Sequence, residues 1–161
     1  MRIRDKIKKP QRPVVAYEIL PPREKDGTLN TYAETISSLL SQTHIDAINI
    51  PEVHDEIGRG ERPVSNQERG EPRKFGMLLQ DIVGIEAIIN RVVVHMPKEK
   101  QMEWIQETHS KYEIDNLIIV GGESSKQQYP GPTVNESLKK ISEDNSHRKS
   151  NILCGGICIC L

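Results

Sequence analysis

The chain has 161 residues, of which 35% are hydrophobic, 4% aromatic and 28% charged. That is lean for a compact domain but too apolar for a disordered one. Lys and Arg number 22 against 23 Asp and Glu, a formal charge of −1, which argues against a nucleic-acid partner.

At about 150 residues per domain there is room for one core. No apolar run approaches the roughly 18 residues of a membrane span. Residues 1–13 form a basic, proline-broken arm without the apolar stretch of a signal peptide, so residues 14–161 are read as one soluble cytoplasmic domain with no membrane partner. Cys154, Cys158 and Cys160 crowd the end of the chain, which is no disulfide framework and suits a reducing compartment. Their shared parity would put all three on one face of a strand, either as core thiols or as ligands of a metal.

The run Val14-Val15-Ala16-Tyr17-Glu18-Ile19-Leu20, stopped by Pro21-Pro22, predicts a first strand. Leu29, Tyr32, Ala33, Ile36, Leu39 and Leu40 then recur at the spacing of one buried helix face. Residues 46–50 predict a second strand, followed by a long polar loop over 51–72. Residues 73–90 predict a helix that Gly84 could end early, and residues 92–96 a β-branched third strand stopped by Pro97. A helix bearing Met102, Ile105 and His109 follows, reaching about Tyr112. Residues 117–120 are a fourth strand running into Gly121-Gly122. Thr133 and Glu136 form the capping box of a helix bearing Val134, Leu138 and Ile141. A fifth strand, 152–159, closes the sequence.

Strands alternating with helices, and reading as continuous apolar runs, predict a parallel sheet covered on both faces, the α/β class. Pattern alone leaves open a five-stranded doubly wound domain or the first part of a (β/α)8 barrel. In either, ligands bind at the carboxyl ends of the strands. Glu18 there is an apolar-strand carboxylate, either a general acid with a raised pKa or a strand-end glutamate paired to a basic residue. Glu52, His54, Asp55 and Glu56 match no zinc or calcium spacing and read as a solvated loop. His95 ends a strand, as a ligand contact or a satisfied half-buried histidine. Gly121-Gly122-Glu123 would let a ligand approach the backbone, but it is not a Walker loop, and no Gly-x-Gly-x-x-Gly follows the first strand.

Together these segments resemble the methylenetetrahydrofolate reductase family. Val-Ala-Tyr-Glu-Ile-Leu-Pro-Pro-Arg at 15–23 is similar to its first strand, Val94-His95-Met96 to the end of its third, and Ile-Ile-Val-Gly-Gly-Glu at 118–123 stands where the family ends its fourth strand in Arg-Gly-Asp. The resemblance implies a partial (β/α)8 barrel, the first four βα units plus a fifth strand. It further implies flavin-dependent reduction of 5,10-methylenetetrahydrofolate to 5-methyltetrahydrofolate in one-carbon and methionine metabolism, with FAD as cofactor and a nicotinamide or other electron donor. Glu18 would be the general acid, and His95, Gly122 and Glu123 would contact the flavin. Five strands would leave an open edge, so a second copy or a partner chain is expected to complete the barrel. The alternative is a non-catalytic half-barrel that acts by assembly.

Overall fold

A computed structural model describes residues 2–52, 69–122, 128–148 and 152–157. Five helices, α1 Ile3–Lys8, α2 Leu29–Leu40, α3 Pro72–Val83, α4 Lys98–Tyr112 and α5 Val134–Arg148, accompany five strands. These are β1 Ala16–Glu18, β2 Ala47–Pro51, β3 Ala87–Val92, β4 Asn116–Val120 and β5 Leu153–Ile157. All neighbouring strands are parallel, in the order β1-β2-β3-β4-β5. Sequential order contains no reversal, and so no switch point of the doubly wound kind. The protein is an α/β fold with a five-stranded parallel sheet.

Alternation along the strands separates the two faces of this sheet. Ile50 and Ala87 meet α3 at Gly76, and Gly156 meets Val134 and Leu138 of α5. Ile48, Ile50, Ala87, Ile89, Leu117 and Ile119 bury completely or nearly so on this helix side, together with Phe75, Leu79, Ile105 and Ile141 of the helices. At roughly 1.5–3 kcal/mol for each large apolar side chain, this one layer carries most of the folding free energy. The opposite face is only half-buried at Asn49, Pro51, Ile88, Asn90, Val92, Ile118 and Val120. The expectation of full cover on both faces is therefore corrected: apolar residues occur at both parities, but among the described residues helices pack against one face.

Two boundaries differ from the sequence reading. Helix α3 stops at Val83 because Gly84 takes the left-handed conformation, φ 70°, that an L side chain disfavours. The third strand accordingly begins at Ala87, and residues 93–95, predicted as strand, make a 3-10 turn.

Within the basic arm, α1 lies across the amino-terminal ends of the strands. Ile3 is buried, its backbone N–H donates to Glu86, Lys6 Nζ reaches Asp46 at 2.8 Å, and Arg2 pairs with Asp115 at 3.6 Å. Asp46, Glu86 and Asp115 immediately precede β2, β3 and β4, so one short helix ties three consecutive strands. Arg12 adds two more bonds to Asp46, at 2.9 and 2.8 Å. Of the two sheet ends, this leaves the carboxyl end for chemistry. No helix among the described residues is long and apolar enough to cross a membrane.

Candidate functional site

At the carboxyl ends of β1, β2 and β3 a row of polar side chains rises on the half-buried face. Glu18, the last residue of β1, is in register with Asn49, which is in register with Ile88. Asn49 Nδ2 donates to Glu18 Oε2 at 2.9 Å. Asn90 stands one step nearer the carboxyl end, beside Pro51. The side-chain oxygens of Asn49 and Asn90 and the Nε of Arg69 are buried without a hydrogen-bond partner. Native interiors rarely leave such atoms unmatched.

Glu18 is exposed, which corrects the expectation of a desolvated carboxyl. The reason is topological. β1 is an outer strand of three residues, all exposed, and only β2 lies beside it. Among the described residues its side-chain partner is the Asn49 amide rather than a Lys or Arg.

Behind the row, Arg91 points into the helix layer and is buried. Its guanidinium pairs with Glu52, takes Gln101 Oε1 at 3.0 Å and lies 4.2 Å from the Trp104 ring. Burial pushes the Arg91 pKa down, opposed by the charge of Glu52. The other Glu52 oxygen accepts from Val92 N at 3.1 Å, and Glu52 N donates to Asn90 O at 3.0 Å. Glu52 is thus an internal counter-ion that fixes the carboxyl end of β3, not part of a solvated loop. Its companions His54, Asp55 and Glu56 lie outside the described residues.

A second group gathers at the ends of β3 and β4. His95 meets Tyr129 edge to face, with ring centroids 5.5 Å apart and planes at 75°. The Tyr129 ring fills the space where a Cβ on Gly122 would stand. Gly131 N donates to Val94 O at 2.8 Å, and a Cβ there would collide with the backbone of residues 93–96. The segment after β4 is thereby strapped onto the turn after β3. Of the expected cofactor contacts, His95 and Gly122 come together, but through Tyr129. The space beside the Gly122 Cα is taken by this ring, and His95 stands next to it. Glu123 lies outside the described residues.

Glu18 and His95 both lie towards the carboxyl end of the sheet with β2 between their strands, but His95 stands seven residues beyond Ile88, the β3 residue level with Glu18. Among the described residues no three His, Cys, Asp or Glu side chains group to hold a metal. Cys154 packs against the core, where burial raises its thiol pKa, while Cys158 and Cys160 lie outside the described residues. Sequence reasoning missed Asn90, which it placed in a helix, and Tyr129. Gly84 as a helix stop, followed by the β-branched residues Ile85, Ile88, Ile89, Val92 and Val93, is the signal that would have found the first.

No protein-family model matches the chain, and no curated protein matches it. Among solved structures it is similar to an uncharacterized protein from Clostridium thermocellum described as binding two copies of 5-methyl-5,6,7,8-tetrahydrofolic acid. The TM-score is 0.66 at 17% identity, over 96% of this chain and 47% of that one. The likeness is one of fold, and this chain spans about half the length of that protein.

Proposed function

We propose that the chain binds a reduced folate on the half-buried face of its sheet, at the carboxyl ends of β1 to β3. The observation that carries this is the Glu18-Asn49-Asn90 row, a set of polar groups where (β/α) folds place ligands. The neighbour that binds 5-methyltetrahydrofolate supports the ligand class. The resemblance at 15–23, 94–96 and 118–123 supports the finer reading, FAD-dependent reduction of 5,10-methylenetetrahydrofolate within a (β/α)8 barrel.

In that reading a bound flavin supplies hydride, and this chain's residues do the rest. Glu18 holds and delivers a proton at Oε1 or Oε2 to the bridging nitrogen of the substrate, while Asn49 keeps the carboxyl turned inward. Protonation breaks the C–N bond of the five-membered ring and leaves an iminium at the one-carbon unit. A strand added beside β1, as in a closed barrel, would cover Glu18 and exclude water from it. His95, with Tyr129 behind it, is the described residue available to a flavin.

The test is binding followed by turnover. The purified chain titrated calorimetrically with 5-methyltetrahydrofolate should saturate, and absence of heat and of competition by folate analogues refutes the reading. With FAD added, a shifted bound-flavin spectrum is expected, and Glu18→Gln should keep that spectrum while abolishing reduction of methylenetetrahydrofolate. Reduction at the parent rate by Glu18→Gln removes the proposed proton donor.

A second reading, a non-catalytic assembly half, is favoured by one observation. The outer strands and their flanks expose Val15, Tyr17 and Ile157 by 43%, 50% and 46%. Apolar side chains on open edges invite pairing. A stable dimer that neither binds flavin nor responds to folate in a sizing experiment favours this alternative.

A further inference from the structure

The proposed folate site contains two acceptors that nothing in the chain satisfies, and their placement specifies what must fill them. Asn49 has its amide orientation fixed from outside. Its NH2 donates to the Glu18 carboxylate, so its oxygen is forced to the other side, where it is buried with no donor. Asn90 Oδ1, on the adjacent strand and the same face, is buried and without a donor as well. One strand spacing across and two residues along put the two Cα atoms roughly 8 Å apart, and each Asn side chain reaches in from its own strand. The main-chain carbonyl of Asn90 accepts from Glu52 N at 3.0 Å, which fixes the strand backbone from which this side chain reaches.

We infer that Asn49 and Asn90 read a ring edge that presents adjacent N–H donors, the 2-amino and ring N–H of a 2-amino-4-oxopyrimidine. The inference rests on the folate reading and specifies which part of the ligand faces these residues. Buried oxygens kept without partners in the empty protein are a cost to stability that a donor edge reverses, and a ligand lacking those donors leaves them unmatched. Glu18 takes part as a positioning residue here, since its carboxylate sets which way the Asn49 amide points. Arg69 Nε, a buried donor on the same rim, is of the wrong polarity for a donor edge and is not used.

The experiment measures dissociation constants of the purified chain for 5-methyltetrahydrofolate and for its 2-desamino-2-methyl analogue, in the parent, Asn90→Leu and Asn90→Asp. Melting temperatures are taken without ligand. The parent should prefer the amino compound by about tenfold. Asn90→Leu, of similar volume but without an acceptor, should lose this preference and bind the amino compound about tenfold more weakly, with an unliganded melting point no lower than the parent's. Asn90→Asp keeps an acceptor and should keep the preference. If the parent binds folate and Asn90→Leu discriminates as the parent does, the inference falls while the folate reading stands. If the parent binds neither compound, the folate reading falls. A lower melting point in both Asn90 variants would show a structural role for the amide and would overturn the inference by itself.

Discussion

Removing both partners of the Arg91 and Glu52 pair should cost clearly less than the summed costs of removing each alone. Arg91 is 4% exposed at its side chain and Glu52 14%, so neither charge can be hydrated by water when its partner is deleted. Arg91→Met takes the guanidinium from the Glu52 carboxylate, which also accepts from Val92 N–H, and from Gln101 Oε1 and one face of Trp104. Loss of a buried pair by truncating one member costs about 3–5 kcal/mol, most of it the penalty on the stranded charge. Glu52→Gln strands Arg91 in the same way. Combined with Arg91→Met it removes the stranded charge, so the double variant should be less destabilised than the sum of the singles by at least about 1.5 kcal/mol. For a chain of this size about 3 kcal/mol corresponds to a fall in Tm of roughly 6–12 °C. Urea unfolding of the four proteins, followed by circular dichroism, gives the coupling directly. Additivity within about 0.5 kcal/mol would refute the claim that the two charges are held dry by each other.

Three more outcomes follow from the same structure. The Asp46 carboxyl is held well below the ordinary Asp value of 3.8, first by Lys6, then by Val15 N–H, with Arg12 assisting. A depressed folded pKa gives stability that is complete above the unfolded value and lost as pH falls towards the folded one. The Tm gap between parent and Asp46→Asn should therefore be constant from pH 7 to 5 and shrink below pH 4; a gap that stays the same down to pH 2.5 contradicts this. Gly131→Ala, pressed against the backbone around Val93 and Met96, should cost about 1–3 kcal/mol and shift the His95 and Tyr129 resonances in NMR spectra, and an unchanged spectrum would mean that the strap does not hold them. Ile3→Ala should destabilise by about 2–5 kcal/mol in denaturant unfolding, whereas an effect near zero would show that α1 is not part of the folded core.

What the sequence disclosed divides along physical lines. The Thr133 and Glu136 capping box forms as read, with Glu136 N donating to Thr133 Oγ1 at 3.2 Å and Thr133 N to Glu136 Oε2 at 2.8 Å, because capping is decided within four residues. The helix at 29–40 and the strands at β2 and β4 were legible from period alone. Helix α1 was not, since six residues cannot sustain a helix without the Asp46, Glu86 and Asp115 contacts that only the folded sheet supplies. The third strand was displaced by about five residues because Ile85 to Asn90 suits helix or strand equally, and the choice lies in the Gly84 dihedral. The partners of Glu52, Asn49 and Tyr129 lie 39, 31 and 34 residues away in sequence, at Arg91, Glu18 and His95, beyond any local rule.

The position of Glu18 shows why a motif and its chemistry can separate. The residues around it predict a strand over 14–20 ended by Pro21 and Pro22, whereas the structure confines β1 to Ala16–Glu18, so that Glu18 closes it on the carboxyl rim. Its exposure to water, however, is set by how many strands lie beside it, and an outer strand has one neighbour where an inner strand has two. Asn49 holds the carboxyl in place through one hydrogen bond, which fixes direction without removing solvent. Orientation and desolvation are thus assigned to different parts of the architecture: β2 supplies the first, and any strand that pairs with the free side of β1 would supply the second. Adding such a strand, whether from a second copy or from a partner chain, changes the environment of this one carboxyl more than any substitution within the sheet.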